Sequence, residues 1–511
     1  MLLQLPSSPT TPLSYVVLSA LADGADRLVV REVMKCRGAR LEAVLPFPLD
    51  EYRRDFSGES TEDFNALLSA ASTVRTLPLS PERTACYERA GRSIVDRSDV
   101  LIALWDGAAS RGRGGTAEIV EYAKRRGVPR IVISTVDETK TIETIGPDQA
   151  EFPKGACMSD EAFRRLDHYN REPIDGGVFA DQLRDRLADV DSEAPQDATD
   201  SLPVKALSDW VLPYFVRADV LAKRHQAVDG RYGVLLFTLA AVAVVAVALQ
   251  AQFFRETRQI VLIELLALVV IGVLLRTRRP LRAHERWITY RYLAEQLRSA
   301  FFLVMAGVDP PGSKTRERSV DESTQEDRLH EDASEEWIRR ALEEVSSQRP
   351  SVEGPRDFGR LSTYLAAKWV DQQADYYMEA THSHKRQHDR LTGGIWALLV
   401  ISVVVASLHI AGVGEGDRGE EESVGKALVV LSISLPACAA ALGGIRELRD
   451  HRRHAERYER ATRLLTAKSA KMRAARDPET IAAVAAEAAR VMRDEGSDWF
   501  GVVRFEELDA L

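Results

Sequence analysis

The sequence predicts an α/β doubly wound parallel sheet at the N-terminus, followed by an all-α membrane domain with two transmembrane helical hairpins. Two observations support this fold class. Short apolar segments alternate with helical segments over residues 14–136, and four long apolar runs follow at 233–249, 260–275, 395–413 and 424–442. Strand–helix alternation is typical of a parallel sheet covered on both faces, and about 17–25 apolar residues cross a hydrocarbon core.

Five short apolar segments predict the strands of the sheet, at residues 15–19, 41–45, 73–77, 100–105 and 130–134. Helical patterns separate them at residues 25–35, 62–71, 81–97 and 116–126. Ser80 and Pro81 predict the start of the third of these helices. Serine caps helix N-termini, and proline fits the first helical position.

Two strand-to-helix loops carry the candidate site, because ligands of such sheets bind beyond the carboxyl ends of the strands. Glycines at these junctions let backbone N–H groups approach an anion, and the helix dipole adds attraction. The alternative is that the glycines only form tight turns. The candidate residues are Ser19, Gly24, Asp26 and Arg27 on the first loop, with Asp106, Gly107, Gly114, Gly115, Thr116 and Glu118 on the second.

Five segments together resemble the SLOG domain: SALADGADRLVVREVM, AVLPFP, CYERAGRSIVDRSD, VLIALWDG and GRGGTAEIVEYAKRRGVPRIVI. This Rossmann-like superfamily includes the lysine-decarboxylase-like Lonely Guy phosphoribohydrolases and the DNA-processing protein DprA. Its GGT loop binds nucleotide phosphate or ribose. The resemblance implies that role for Gly114, Gly115 and Thr116, with Ser19, Gly24 and Asp26 on the neighbouring loop.

Two departures from the SLOG pattern favour binding over catalysis. The Lonely Guy enzymes have a glutamate three residues after the motif threonine, where this chain has Ile119, and Glu118 stands one residue earlier. One residue turns a helical side chain by about 100°, so the hydrolytic glutamate is not assumed. Related sequences often begin with a further strand and glycine loop, for which this chain has only about thirteen residues. Either the start codon is misplaced or the pocket lacks one wall.

The four apolar runs predict membrane spans at about 232–250, 259–276, 394–413 and 424–444. The first two show no polar stripe at helical spacing, whereas a buried helix pair of a soluble fold, the alternative, should show one. Arginine clusters flank each hairpin, while the loops 251–259 and 414–423 are poorer in cations. The positive-inside rule therefore predicts a multi-pass protein of the inner (plasma) membrane with cytoplasmic N- and C-termini.

The surroundings of the two hairpins are similar, which predicts a repeat. RADVLAKRHQAVDGRYG and HERWITYRYLAEQLRSAFFLV flank the first, and EATHSHKRQHDRLTGG and HAERYERATRLLTAKSAKM flank the second. Each unit resembles the SLATT family, two-transmembrane modules associated with SLOG domains and with nucleotide-synthesising SMODS proteins in bacterial conflict systems. The resemblance implies a pore-forming or membrane-perturbing effector triggered by a nucleotide. The alternative is a duplicated membrane anchor.

Glu264 and His409 are ionisable residues inside predicted spans, which makes them functional candidates. The alternative for Glu264 is a place at the interface. In the fourth run, Pro436 and the Gly443–Gly444 pair predict a kink or close helix packing.

No metal site is expected, because His382, His384 and His388 lack a carboxylate or cysteine at convincing spacing. The four scattered cysteines suit a reducing compartment.

The predicted organisation follows from these features. A SLOG-like domain spans 14–136 and a connector 137–201, with a linker at 189–201. The first two-transmembrane module spans 202–308, a polar linker 309–356, the second module 357–495, and a C-terminal tail 496–511.

The leading hypothesis is a nucleotide-sensing membrane effector in bacterial conflict or antiphage defence, without enzymatic activity. We expect a nucleotide or nucleotide-derived ligand, the lipid bilayer and further copies of the chain as partners, and no required cofactor. The net charge of −9 argues against nucleic acid. One alternative is a membrane-anchored, phosphoribohydrolase-like enzyme with Glu118, Asp26 and Arg27 as acid/base and phosphate-orienting candidates. Another is a membrane scaffold.

Overall fold

The computed structural model describes residues 7–109, 113–126, 128–136, 141–145, 159–193, 203–254, 259–276, 279–311, 333–350, 352, 357–414 and 419–509. The chain divides into two compact units. The first comprises Met1–Pro173 and Gly312–Glu344, and the second comprises Ile174–Pro311 and Val345–Leu511. The first unit contains all the described strands, and the second is helical.

Six strands form two three-stranded sheets in the first unit. They are β1 (Val16–Ser19), β2 (Arg40–Leu45), β3 (Thr73–Thr76), β4 (Leu101–Trp105), β5 (Arg130–Ser134) and β6 (Thr141–Ile145). One sheet has the order β1–β2–β3 and is parallel throughout. In the other, β4 pairs with β5 in parallel and β5 with β6 antiparallel.

The prediction of one doubly wound sheet therefore needs correction. The parallel pairing and the strand–helix alternation are present, but the described strands pair as two separate sheets, and no ladder joins β1 to β4. The antiparallel β6 was not predicted. Its sequence, TIETI, lacks the continuous apolar character of a strand buried on both faces.

Six helices complete the described part of the α/β region: α1 (Ala25–Met34), α2 (Leu49–Tyr52), α3 (Glu59–Ala70), α4 (Arg83–Arg97), α5 (Thr116–Arg125) and α6 (Asp160–Arg171). The predicted start of α4 at Ser80 and Pro81 is wrong, because Glu82 occupies the N-cap position. The Ser80 N–H donates to Cys86 Sγ at 3.3 Å, and Ser80 lies in the segment that precedes the helix. A buried core of Leu21, Leu41 and Phe64 underlies the first sheet.

The second unit contains α7 (Gly176–Glu193), α8 (Val204–Phe253), α9 (Gln259–Arg276), α10 (Arg279–Met305), α12 (Phe358–Leu365), α13 (Gln372–Ile410), α14 (Gly419–Arg449), α15 (His451–Ala474) and α16 (Pro478–Asp509). A π-helical turn, Ala366–Asp371, joins α12 to α13. Helix α11 (Ala333–Ser347) has residues in both units.

The segments assigned as connector, polar linker and tail contain helices. The connector contains α6 and α7, the polar linker contains α11, and α16 runs through the predicted C-terminal tail to Asp509. In α11, Trp337 is buried and lies against Tyr169 of α6, with ring centroids 5.4 Å apart. The predicted linker residues 194–201, 312–332 and 353–356 lie outside the described residues, as do Arg111 and Gly112.

Four helices are long and apolar enough to cross a membrane: Val204–Phe253, Gln259–Arg276, Phe358–Ile410 and Glu422–Ala474. The first, second and fourth predicted spans lie within these helices, and the third, 394–413, extends three residues past Ile410. Helix α8 has 50 residues, a length of about 75 Å at 1.5 Å per residue. That is more than twice the thickness of a hydrocarbon core, so α8 continues well beyond the membrane. The loop residues 255–258 and 415–418 lie outside the described residues.

Candidate functional site

The first predicted loop is built around Ser19 at the carboxyl end of β1. The Ser19 hydroxyl donates to Asp26 Oδ2 at 3.1 Å and accepts the Leu21 N–H at 2.9 Å. Leu21 has a φ of 58° and Gly24 a φ of 88°, so two left-handed residues turn the chain from the strand into α1. Burial raises the pKa of Asp26, although Ser19 and nearby backbone groups hydrogen-bond to its carboxylate. The structure thus brings Ser19, Gly24 and Asp26 together.

Arg27 faces the protein interior. Its side chain is buried, with Nε donating to the Leu21 carbonyl at 3.1 Å and Nη1 to the Ser60 carbonyl at 2.9 Å. Its guanidinium also lies 4.6 Å from the Phe56 ring centroid and 3.4 Å from Asp63 Oδ2. These contacts tie α1 to α3. The phosphate-orienting role of Arg27 stays a prediction.

The second loop places a carboxylate at the start of α5. Gly114 has a φ of 83°, and its N–H donates to Glu118 Oε2 at 2.7 Å. A Cβ on Gly114 would lie 2.7 Å from the Glu88 backbone nitrogen, so the loop packs closely on α4. Gly115 occupies the N-cap position of α5, without a side-chain cap, and Thr116 is the first helical residue. An anionic group therefore already occupies this helix N-terminus.

Two arginines and a buried glutamate surround this loop. Arg113 Nε donates to Glu88 Oε2 at 2.5 Å, and Arg92 forms an ion pair with the same carboxylate. Arg92 also lies 3.6 Å from Glu118 Oε1. Burial alone would raise the pKa of Glu88, but the Arg113 hydrogen bond and the Arg92 charge outweigh it and lower that pKa. The region contains both cations and anions, all of them paired.

Ile119 and Glu118 point in different directions. A Cβ on Gly91 of α4 would lie 2.5 Å from Ile119 Cδ1, which shows that Ile119 packs between α5 and α4. The hydrolytic position of the Lonely Guy pattern is thus a packing position, and Glu118 turns back to the Gly114 N–H. This geometry agrees with the 100° offset between neighbouring helical residues.

Asp106 and Gly107 form the turn after β4. The Asp106 carboxylate accepts the Ala108 N–H at 3.0 Å, Gly107 has a φ of 79°, and Trp105 Nε1 donates to the Ala108 carbonyl at 3.0 Å. These contacts shape the turn. The ring centroids of Tyr52 and Tyr87 lie 6.4 Å apart. The charge of Asp26, on the first loop, acts on Tyr52, and a Cβ on Gly114 of the second loop would lie 3.1 Å from the Tyr87 backbone carbonyl carbon.

The second unit joins the two hairpins through α8 and α14. The Phe237 ring of α8 lies against Gly444 of α14, and Leu448 of α14 lies against Gly233 of α8. The predicted close packing at the Gly443–Gly444 pair thus occurs at Gly444. A Cβ on Gly443 would meet nothing within 4 Å. Small residues allow such close approach between membrane helices.

Glu264 and His409 lie close to helix ends. Glu264 is the sixth residue of α9, half-buried, and has no hydrogen-bond or ion-pair partner among the described residues. His409 is exposed in the last turn of α13, one residue before its end. The functional role and the interfacial alternative both stay predictions for Glu264.

Sequence reasoning missed a histidine cluster between α13 and α15. His384 Nδ1 lies 2.9 Å from His451 Nδ1, and the His384 ring stacks on His454 with centroids 5.3 Å apart. The spacing of His384 from His388, and of His451 from His454, was the available signal, but 67 residues separate His384 from His451. Within the described residues, no group of three or more histidine, cysteine or acidic side chains is arranged to hold a metal ion.

Comparison with known families relates both hairpins to described domains. Residues 364–499 match the family model of the SMODS and SLOG-associating 2TM effector domain 1. Residues 217–317 match a protein family of unknown function, DUF4231. Neither of these two models covers the α/β region, and the two hairpins match different models. No curated protein and no solved structure matches the chain.

The comparison and the four apolar helices together identify a membrane protein whose second hairpin is similar to two-transmembrane effector domains. The predicted SLATT resemblance is confirmed for that hairpin. The first hairpin is similar to another family, and the SLOG resemblance of the α/β region stays a prediction.

Proposed function

We propose that the protein is a nucleotide-sensing membrane effector of a bacterial conflict or antiphage system. A nucleotide or nucleotide derivative binds at the loop of Gly114, Gly115 and Thr116. Binding changes the packing or oligomeric state of the four transmembrane helices and makes the membrane leaky. Both termini lie in the cytoplasm. One observation carries the proposal: a glycine loop at a helix N-terminus shares a chain with a two-transmembrane effector-type domain.

The geometry of the second loop suits a phosphate. The Gly114 N–H donates to a carboxylate oxygen of Glu118, so this donor already points at an anionic acceptor. A phosphate oxygen is a similar acceptor, and the α5 dipole favours its charge. Arg92 and Arg113 are close enough to the loop to exchange their carboxylate partners for a phosphate. Ligand binding would then displace Glu118 and loosen the α4–α5 contact.

Three positions support sensing over hydrolysis. Ile119 packs on Gly91, Arg27 is enclosed between α1 and α3, and Glu118 is held by a backbone N–H. A phosphoribohydrolase needs a carboxylate free to act at the sugar, with a cation at the phosphate. Asp26 has the raised pKa expected of a group in an enclosed site, and Ser19 and nearby backbone groups hydrogen-bond to its carboxylate.

The membrane half has features of an output device. Helices α8 and α13 each run without interruption from outside the membrane into a transmembrane span. A rigid helix transmits a displacement at one end to the other. Helix α8 contacts α14 at Gly233 and at Gly444. A displacement of the first hairpin would therefore also displace the second. We propose that the two hairpins act as one unit, and that several copies line the leak.

Purified full-length protein in dye-loaded liposomes, exposed to a nucleotide panel, tests the proposal. We expect one class of nucleotide to bind and to release dye. Turnover of a nucleotide without dye release would overturn the effector assignment in favour of an enzyme. Binding with neither turnover nor release would point to a scaffold, and no binding by any nucleotide would remove the sensing role.

A further inference from the structure

Three histidines join the two long helices that flank the second hairpin. His384 is on α13, ahead of the third apolar run, and His451 and His454 begin α15, after the fourth. The 2.9 Å contact between His384 Nδ1 and His451 Nδ1 requires one nitrogen to donate and the other to accept. At least one of these two rings must therefore be neutral. The contact bridges the base of the hairpin.

His451 has no place for a second proton. Its side chain is 4% exposed, and its Nε2 has no hydrogen-bond partner among the described residues. His454 donates from Nδ1 to the Asp450 carbonyl at 2.8 Å and stacks on the His384 ring. Imidazolium rings in this arrangement would repel one another at short range, with little water to screen them.

The groups around the cluster add positive charge. Arg291 faces it from α10, Arg449 from the end of α14, and Arg457 from α15, while His388 approaches His451 from α13. Asp450 is the nearby carboxylate, and it also pairs with Arg453 at 3.5 Å.

Two further groups complete the surroundings. The Tyr458 ring lies 5.7 Å from that of His384, and its hydroxyl accepts from Arg291 Nη2 at 3.4 Å. On α16, Glu495 lies near Arg291 and Arg457 and accepts from the Tyr377 hydroxyl at 3.4 Å. Its charge is directed to those arginines, so the cations that face the histidines outnumber the acids available to them.

We propose that His384, His451 and His454 form a proton-sensitive latch that holds α13 against α15 at the base of the second hairpin. Neutral rings keep the latch closed. Acidification charges them, breaks the contact between His384 and His451, and separates the two helices. Because α13 continues directly into the membrane, opening of the latch allows this helix of the hairpin to move. This control acts independently of any ligand at the α/β region.

The direction of the titration agrees with the geometry. Burial and the neighbouring cations lower the pKa of His384 and of His451 to about 4, and lower that of His454. A histidine whose pKa is depressed in the closed state stabilises that state above its unperturbed pKa. The stabilisation is lost as the pH falls from about 6.5 towards about 4. At about pH 5, a shift from about 6.5 to about 4 in one histidine, as for His384 or His451 taken alone, changes the open-to-closed ratio by about 30-fold.

The first hairpin provides a matched contrast. There, His284 Nδ1 of α10 lies 3.3 Å from Asp229 Oδ2 of α8. This histidine faces a carboxylate, whereas His384 faces another histidine. His284 therefore offers a control outside the histidine cluster.

Paired nitroxide labels on the full-length protein in liposomes test the latch. Lys385→Cys and Glu459→Cys, in a variant with the native cysteines replaced by alanine, place the labels on an exposed interhelical ion pair of 2.9 Å. We expect one short distance at about pH 7.5 and a second, longer population at about pH 5. The triple variant His384→Gln, His451→Gln, His454→Gln should keep the short distance at both values. His284→Gln is the matched control and should respond like the parent.

Two results would overturn the proposal. One is a parent distance distribution that does not change between these pH values. The other is a triple variant that still opens in acid. Where the triple variant already shows the long distance at about pH 7.5, the label distance is measured in the single variant His384→Gln, which leaves His451 and His454 in place. A pH response as large as that of the parent in this single variant would exclude the His384–His451 contact as the latch.

Discussion

The Phe237 ring of α8 lies directly against Gly444 of α14, with no room for a side chain on the glycine. This contact connects the first transmembrane span to the fourth and thereby joins the two hairpins. It has a companion in Leu448 against Gly233, one turn away on each helix. The two hairpins are therefore coupled through one pair of helices, and this coupling yields the first prediction.

Gly444→Ala should weaken the contact between the hairpins. The added methyl group would overlap the Phe237 ring, and overpacking of this kind costs about 1–3 kcal/mol. Gly443→Ala is the control, because a Cβ there meets nothing within 4 Å and the intrinsic helix propensity changes equally. Thermal unfolding of the full-length protein in detergent measures both. Equal melting temperatures for the two variants would contradict the assigned packing.

Gly115→Asp should reduce nucleotide binding without loss of stability. Aspartate is a favoured N-cap residue, so α5 should be retained, but its charge would repel a phosphate at the helix N-terminus. Gly115→Asn has nearly the same shape and capping ability without the charge. We expect binding to fall by at least about tenfold for aspartate and little for asparagine, measured by calorimetry. Equal affinity of the two variants would place the ligand elsewhere.

Arg27→Met should destabilise the α/β region, because it removes the contacts to Leu21 and Ser60 and leaves Asp63 less well paired. We expect a cost of about 3 kcal/mol, typical of breaking a buried charged network. Arg31→Met is the comparison. Arg31 pairs with the same carboxylate from a half-exposed position, where an ion pair contributes about 1 kcal/mol or less. Hydrogen exchange of the β1–β3 amides in the full-length protein separates the two variants. A binding defect without faster exchange in Arg27→Met would restore its phosphate role.

Ile119→Glu should not create a hydrolase. The new carboxylate would be buried against Gly91 of α4, and an unpaired buried charge costs several kcal/mol. We expect faster proteolysis of the full-length protein and no nucleotide turnover. Ile119→Val, which removes one methylene group, should cost about 0.5–1.5 kcal/mol and serves as the control. Turnover by a stable Ile119→Glu variant would show that this position faces the ligand after all.

Acid should affect the loop at α5 as well as the histidine latch. The pKa of Glu88 is lowered in the folded protein, so its pairing with Arg113 and Arg92 stabilises the fold at neutral pH. That contribution is lost as the pH falls below the unperturbed value of 4.5. Glu88→Gln should therefore lower the melting temperature at neutral pH and flatten its dependence on pH below about 4.5. Equal melting temperatures of the parent and Glu88→Gln at neutral pH would contradict this assignment.

Local properties of the sequence predicted the spans and most strands and helices. The four membrane spans could be predicted because the hydropathy and the length of a span are properties of one continuous segment. Strands β2 and β5 were predicted to within one residue, since they are short, largely apolar and bounded on one side by a proline. The predicted start of α4 was two residues too early, because Glu82 and not Ser80 occupies the N-cap position.

The sequence by itself determined that this chain has an α/β region, two hairpins and glycine loops, and the second hairpin was similar enough to a known module to be confirmed. Only the tertiary structure decided how strands pair into two sheets, that Arg27 faces inward, that Glu118 holds the Gly114 N–H, and that His384 meets His451. The physical reason is the distance along the sequence over which each interaction acts. Helix and strand signals arise between neighbours in sequence, whereas sheet order, burial of a charge and a contact across 67 residues depend on packing in three dimensions.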